Sequence, residues 1–579
     1  FCAIAFFLMS AVAQTVVSGK VTDDSGAPLP GASIKVKGTK QGVSADANGT
    51  FKLTIPAADA TLTIGAVGFV SQDVKASANV MVQLAKDVTS LSEVIVTSLG
   101  IRKEKKQLVY AVSDVKAEQL QQKGEPDLLR ALSGKVPGVD ITSGGGAPGQ
   151  STRINLRGNT SFTASNQPLF VVDGIPLITG GIDNINPGDI ETIDVLKDAS
   201  ATAIFGSRGA NGVVIVTTKQ GKAGKTTVNF NHSITSESLE DNRVMFDASE
   251  YITYKRWAYY YSGLNQTTGV STYPRGDQPT IANDRTYFAA SADPMAWANI
   301  AQGWASGTWD GSKVKTTDWG SLVKQSSMTS DNVISVSGGS DKVKSYASFG
   351  YLNNTGTIKG QSFERYTAKA NVDITATKWL SIGNNINISY GRQQFGQSGF
   401  GVATIGSPAG GLYESARSLF PYAVPYDSAG NRILFPGGDA AVKNVVDEWK
   451  YNIDERVTLR AFGSLYSQVN FGNISPVLKG LKYRMNFGPD ISYNRAGVYV
   501  DANSVSNGGS TSFASLTNNR TFSYTLDNLL YYDKSIGDHT FGLTLLQSQT
   551  AYQLETNNIT GNGIPFAAQK WTLLRVERP

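Results

Sequence analysis

Cysteine and histidine are almost missing from this sequence. Its 579 residues hold one cysteine, Cys2, and two histidines, His232 and His539, far apart in the chain. That excludes a His/Cys metal centre and a Cys/His nucleophile pair, while sites built from carboxylates alone stay open. Charge is also scarce: 17% of residues are charged, and 52 basic against 47 acidic residues leave only +5. Over such a length this gives no basic surface for nucleic acid. Beyond the first residues no apolar run reaches the ~18 residues of a membrane helix. What the sequence does have is 60 glycines and 10% aromatic residues, a composition that suits a β-rich chain with many turns.

The start of the chain reads as an export signal. In "FCAIAFFLMSAVAQ" an apolar run from Ala3 to Met9 precedes Ala11-Val12-Ala13, a small-x-small cleavage site. Residues 1–13 are therefore expected to be a signal peptide lacking its basic n-region, with the mature chain starting near Gln14 and free of cysteine. Cys2 precedes the apolar run, so it is not placed for lipidation. An exported chain without a membrane helix is periplasmic, secreted, or a barrel that crosses the membrane with strands.

From residue 14 to 88, short β-prone runs alternate with turn signals such as "DDSGAPLPG" and "DANG". This pattern predicts a small β-sandwich. "GAPLPGASIKVKGT" and "ADANGTFKL" resemble the carboxypeptidase-regulatory-like domain, an immunoglobulin-like module, and no hydrolytic constellation accompanies them. The run "LSEVIVTSLG" that follows has two readings. It is either another sandwich strand ahead of a solvated linker, "IRKEKK", or an accessible strand that adds to a partner's sheet edge through main-chain hydrogen bonds.

Residues 196–219, "LKDASATAIFGSRGANGVVIVTTK", pose the question of what their glycines serve. Asp198 is expected to cap a short helix over 199–205 that Gly206 ends, with an apolar strand from Val213. A phosphate-binding loop runs strand, glycines, helix; here the order is helix, glycines, strand, which argues against nucleotide binding. "SGGGAP" at 143–148 has no helix after it either.

Beyond residue 225 the texture is period-2 alternation. Tyr366, Ala368, Ala370, Val372 and Ile374 fall on one face of a strand; Thr367, Lys369, Asn371 and Asp373 fall on the other. Leu380, Ile382, Ile386, Ile388 and Tyr390 likewise oppose Ser381, Asn385, Asn387 and Ser389. A soluble sandwich alternates in the same way, but strands of about ten residues with Tyr or Phe near their ends fit a membrane barrel. Residues 246–326 differ, holding Trp257, Trp297, Trp304, Trp309 and Trp319. These rings could stack on sugars; the preferred reading is an excursion packed by its own aromatics.

Read together, "PLFVVDGIP" and "INPGDIETIDVLKDASATAIFGSRGANGVVIVTTK" resemble the plug of TonB-dependent outer-membrane transporters of the SusC/RagA type. "SEVIVTSLG" falls where that family carries its TonB box, with Glu93, Val94, Ile95, Val96 and Thr97 matching and Ser92 standing where an acidic residue is common. The resemblance implies a mainly β fold: a small N-terminal β-sandwich (14–88), box and linker (89–106), a mixed αβ plug (107–224) and an antiparallel transmembrane β-barrel. A complete plugged barrel has about 22 strands. At roughly 25–35 residues per strand and connection, residues 225–579 make about 10–14 strands, the N-terminal part of such a barrel. Structural plug positions carried over are Arg157, Gly158, Asp173, Gly174, Gly206, Arg208, Gly209 and Gly212, with Gly206, Gly209 and Gly212 expected at positive φ. Asp189, Glu191, Asp194 and Asp198 are expected to pair with Arg157, Lys197 and Arg208 where plug meets wall.

The function implied is TonB-dependent import of a glycan or peptide across the Gram-negative outer membrane. Its partners would be TonB with ExbB and ExbD, a SusD-like surface lipoprotein and outer-membrane lipid. No nucleic acid, cofactor, metal or catalytic residue is implied, and substrate contacts stay unassigned. Two other readings compete. A surface glycan hydrolase would need a placed carboxylate pair. A β-rich adhesin or glycan-binding structural protein without transport would explain the sandwich but not the plug-like segment.

Overall fold

The computed structural model describes residues 15–572 except 25, 40, 56–59, 67–68, 86–93, 97–101, 105–112, 117–118, 120–124, 126, 144–145, 151, 157, 159–165, 179, 198–201, 242, 289–291, 397–410, 506–510, 538 and 565–566. The signal-peptide reading of 1–13 lies outside these residues. Two compact units form, one of residues 1–97 and 101–109, the other of 98–100 and 110–579.

In the first unit, β1 (Thr15–Asp23), β2 (Ser33–Val36), β3 (Gly42–Ser44), β4 (Thr50–Ile55), β5 (Thr61–Gly65), β6 (Gln72–Lys75) and β7 (Asn79–Leu84) make two sheets, ordered β4–β1–β7 and β3–β2–β5–β6. Alternation decides the core: Val17, Val21, Leu53 and Val82 face Ile34, Leu62 and Ile64, as in a β-sandwich. A further antiparallel pair joins β8 (Val94–Val96) to β9 (Arg102–Glu104), with Ile95 opposite Lys103. The basic stretch read as a solvated linker thus contributes a strand that pairs with Val94–Val96.

The second unit contains a plug domain and a large sheet. In the plug, β10 (Ser113–Lys116), β11 (Asp140–Ser143), β12 (Thr152–Asn155), β13 (Leu169–Val172), β14 (Ile175–Pro176), β15 (Ile190–Leu196) and β16 (Val213–Thr218) surround a short helix, Leu128–Leu132. Asp127 caps that helix by accepting from the Leu129 and Arg130 N–H groups. The sheet order is β10–β15–β16–β13–β14. Every residue of β16 is buried, which is why "VVIVTT" shows no alternation: both of its faces are covered.

Nine antiparallel strands follow in sequence order: β17 (Gly224–Glu237), β18 (Ser327–Gly339), β19 (Val343–Thr355), β20 (Gln361–Thr375), β21 (Leu380–Phe395), β22 (Asn452–Asn470), β23 (Leu481–Val500), β24 (Phe513–Ile536) and β25 (His539–Asn562). Among the described residues the wall has nine strands, against the expected 10–14. The strands are 13 to 24 residues long rather than about ten, and two connections, 238–326 and 396–451, take up much of the chain. Among the described residues β17 and β25 are edges, so the sheet is a partial barrel.

Burial in this sheet is inverted relative to a soluble protein. Lys369, Asn371, Asn385 and Ser389 are buried, whereas Tyr366, Ile382, Ile386 and Ile388 are exposed. A polar face turned toward the plug and an apolar face turned outward suit a wall with lipid outside. The Tyr351, Tyr366 and Tyr390 rings lie side by side on three strands, at 4.9 and 6.3 Å, as in an interfacial girdle. Turns at 340–342, 376–379 and 471–480 mark one end of the wall, and the connections 238–326 and 396–451 leave from the other. The plug joins β17 at the short-turn end, where Gly224 pairs with Gly339.

The long connections at the other end fold together. Helices Ala248–Ser262, Ile281–Tyr287, Pro294–Gln302 and Trp319–Val323 share one apolar core with residues of 412–446. Arg256 pairs with buried Asp284 at 2.6 Å and lies 3.9 Å from the Trp309 ring, while Trp304 donates to the same carboxylate. These aromatics pack one another, as the preferred reading of the segment held.

Candidate functional site

The glycine-rich return before β16 departs from its expected form. Residues 203–209 form a tight 3-10 segment, Ala203–Gly209, broken at Gly206, whose φ of 58° is left-handed. The expected cap, Asp198, lies outside the described residues. Gly212 has φ 90°, but Gly209 does not adopt positive φ. What Gly209 supplies is space: a Cβ there would stand 2.8 Å from the Thr202 carbonyl oxygen and 3.0 Å from the Thr202 Cβ. Overpacking of this kind costs about 1–3 kcal/mol. Gly209→Val is therefore expected to lower plug stability and admit bulky antibiotics. Wild-type antibiotic resistance in that variant would show that the return tolerates a branched side chain.

Asp173 and Gly174 form the two-residue turn between β13 and β14, both at positive φ (49° and 87°), the conformation that favours Asp-Gly in a tight hairpin. Asp173 also accepts hydrogen bonds from the Thr218 N–H and hydroxyl, at 2.9 and 2.8 Å, and from the Asn385 amide. The buried Lys369 ammonium donates to the Thr218 hydroxyl at 2.6 Å and to the Asn385 oxygen at 2.5 Å. Plug and wall thus share a buried hydrogen-bonded cluster.

Further bonds cross the same boundary. Tyr346 donates to Asp189 at 2.8 Å, Arg365 to the Asp183 carbonyl at 2.9 Å, Arg460 to the Gly181 carbonyl at 2.8 Å and Gln393 to the Pro148 carbonyl at 2.6 Å. Glu191 and Lys197 use partners other than the expected ones, and Arg157 and Asp198 lie outside the described residues. Glu191 lies 3.6 Å from Lys222, Lys197 donates to the Pro137 carbonyl, and Asp194 is buried in β15. Gly158 sits at φ 77°, and Arg208 is exposed. Polar wall residues meet plug backbone because carbonyls at loop turns are the unsatisfied acceptors there.

Toward the long-connection end, the plug loops 146–150 and 180–184 and the inner faces of β18–β24 line a chamber of about 1100 Å³. Phe363, Arg456 and Asn494 line it from the wall; Arg130 and Arg208 line it from the plug.

Comparison with known proteins gives this architecture its place. Residues 104–213 match the TonB-dependent Receptor Plug Domain, and residues 17–96 match the CarboxypepD_reg-like domain. TonB-dependent receptor P3 of Formosa agariphila is 30% identical over 531 residues, covering 91% of this chain and 47% of the relative. TonB-dependent receptor SusC of Bacteroides thetaiotaomicron is 28% identical over 498 residues, covering 84% of this chain and 44% of that one. The solved RagAB peptide transporter superposes with a TM-score of 0.64 at 22% identity, over 81% of this chain and 50% of that chain. The chain belongs to the SusC/RagA-type TonB-dependent receptors.

The receptor spans about half the length of the curated relatives it matches. Those relatives are receptors and transporters, not enzymes, and the family resides in the outer membrane as β-barrels. Of the box positions in this receptor, Val94–Val96 are extended and paired with Arg102–Glu104, while Glu93 and Thr97 lie outside the described residues. Sequence reasoning placed Lys369 and Asn385 on the polar face but missed Thr218, Tyr346, Arg365, Arg460 and Gln393. Their partners lie far away in the chain, and no local pattern marks them.

Proposed function

We propose that this receptor imports a nutrient, an oligosaccharide or a peptide, across the outer membrane. TonB, with ExbB and ExbD, supplies the energy, and a SusD-like surface lipoprotein covers the chamber. The observation that carries this reading is the inverted burial of the nine-stranded wall combined with a plug hydrogen-bonded to its polar face. A plug seated largely through polar contacts, with Phe462 as the wall residue that joins its apolar core, exposes little apolar surface of the wall when it is remodelled. The working division is sandwich 14–88, box and linker 89–106, plug 107–224 and wall from 225. The solved neighbour RagAB is a peptide transporter, which keeps a peptide among the cargoes to be tested.

In this scheme residues Glu93 to Thr97 are the TonB contact. Extended backbone at Val94–Val96 supports strand addition, which works through main-chain hydrogen bonds. Val94→Pro removes a ladder donor and fixes φ. Uptake by the full-length protein should fall about tenfold or more, the loss of roughly 1.4 kcal/mol of contact energy or greater, with normal outer-membrane abundance. Unchanged uptake in that variant would assign the TonB contact elsewhere.

A further inference from the structure

Six arginines and no lysine are among the described residues lining the chamber: Arg130, Arg208, Arg365, Arg456, Arg460 and Arg495. Two are engaged within the protein. Arg365 holds the Asp183 carbonyl, and Arg460 forms a two-pronged pair with Asp490, at 3.0 and 2.8 Å, while also holding the Gly181 carbonyl. The other four reach solvent. The Arg130, Arg456 and Arg495 side chains keep 43%, 53% and 36% of their exposure, and Arg208 is exposed.

Their protein partners leave them incompletely matched. Arg130 stands 3.6 Å from Glu125, and Arg456 stands 3.9 Å from Asp454 with its guanidinium 4.2 Å from the Phe395 ring. Arg495 binds Glu455 at 2.8 Å, but that same carboxylate also takes Arg392 at 2.6 Å, so one negative charge serves two guanidiniums. The lining acids are differently placed. Asp127 accepts two backbone N–H groups and the Thr152 hydroxyl. Glu125 is largely covered, and burial raises its carboxyl above the usual carboxylate range. Asp183 is only partly exposed, which leaves Glu237 as the exposed acid of the lining. The charge that a diffusing solute meets on this side of the chamber is therefore cationic, and it is presented as planar forks that match carboxylates in bidentate geometry.

We infer that the chamber takes a carboxylate-bearing oligomer, with Arg130 and Arg208 of the plug and Arg456 and Arg495 of the wall as its anion contacts. This rests on the import reading, since it names the cargo class of the same chamber. An oligomer with several carboxylates fits because the four guanidiniums come from two bodies. One ligand with several carboxylates can then touch plug and wall together. Uronate-containing oligosaccharides and acidic peptides both supply this chemistry.

The test measures binding to the full-length protein in detergent. Hexagalacturonate is compared with neutral maltohexaose, and hexaglutamate with hexaserine, at low and high salt. One acidic ligand is expected to bind about tenfold or more tightly than its neutral counterpart and to weaken as salt rises. The acidic ligand that binds identifies a sugar or a peptide cargo. Arg456→Gln combined with Arg495→Gln should lower that affinity about tenfold, and lysine at both positions should restore only part of it, because the charge returns without the fork. Heat-modifiable gel migration like wild type establishes that each variant is folded. Equal or tighter binding of the neutral ligands, binding of neither acidic one, or an unaffected double variant overturns the inference. Binding in detergent needs no TonB, so these results stand apart from Val94→Pro uptake, which tests import itself.

Discussion

Ala370→Arg should leave almost no assembled protein in the outer membrane, while Ala370→Val assembles normally. Ala370 is exposed on the outer face of β20, between Ala347 of β19 and Ile386 of β21. Along the strand it lies between Tyr366, in the tyrosine row, and the turn holding Trp379. A guanidinium near the middle of the lipid-facing band costs about 2–4 kcal/mol, and the residues directly opposite it, Ala347 and Ile386, offer it no partner. The neighbouring inner position differs from what alternation alone implies. Asn371 does not face open water; its oxygen accepts from the Gly221 N–H at 3.1 Å, so the plug covers it. Heat-modifiable migration and outer-membrane abundance of the full-length protein are the measurements. Wild-type amounts of heat-modifiable Ala370→Arg protein would mean that this face does not meet lipid.

The second large effect is expected at Asp173. Asp173→Ala strips three accepted hydrogen bonds and leaves Lys369, 4% exposed, in a cluster without its carboxylate. Breaking a buried charged cluster from one side costs about 3–5 kcal/mol. The plug should loosen in the wall, and cells should become sensitive to antibiotics too large for ordinary porins. Asp173→Asn separates charge from backbone, because Asn also tolerates the left-handed φ at this turn. Both variants should leak, and Asp173→Asn combined with Lys369→Met should leak less than Asp173→Asn alone. Undiminished resistance in the single variants would show that other contacts suffice to seat the plug.

The parts of this fold that were legible in the sequence are those governed by period. The alternation in β20 and β21 correctly separated Lys369, Asn385 and Ser389 from Tyr366, Ile382 and Ile388, because a strand between two different media must alternate. The unbroken "VVIV" of β16 marked a strand, and the structure adds that both of its faces are covered. Strand number escaped because alternation marks the band that meets lipid, whereas hydrogen-bonded pairing continues beyond it, to 24 residues in β24. Gly209 was misread for a related reason. Its neighbours in sequence advertise a turn, but the constraint is the carbonyl of Thr202. The plug–wall hydrogen bonds join residues as far as 279 positions apart, as between Gly181 and Arg460, and a single sequence carries no signal of such meetings. The chamber arginines were unread for the same reason: the residues are visible in the sequence, and their convergence is a property of the fold.

One consequence of the shared core above the wall concerns how such a protein can change. Tyr422 and Phe288 are fully buried and meet edge to face at 5.1 Å, though one belongs to the connection after β21 and the other to that after β17. Asn299 on the first connection donates to the Tyr422 carbonyl on the second, and Trp319 donates to that of Phe420. These two surface loops therefore depend on each other for their packing. A graft that replaced only one of them would strip the other of its apolar lining, whereas exchange of both together carries a complete small core along with it. The unit that keeps its packing at this end of the molecule is a module divided between two stretches of the gene.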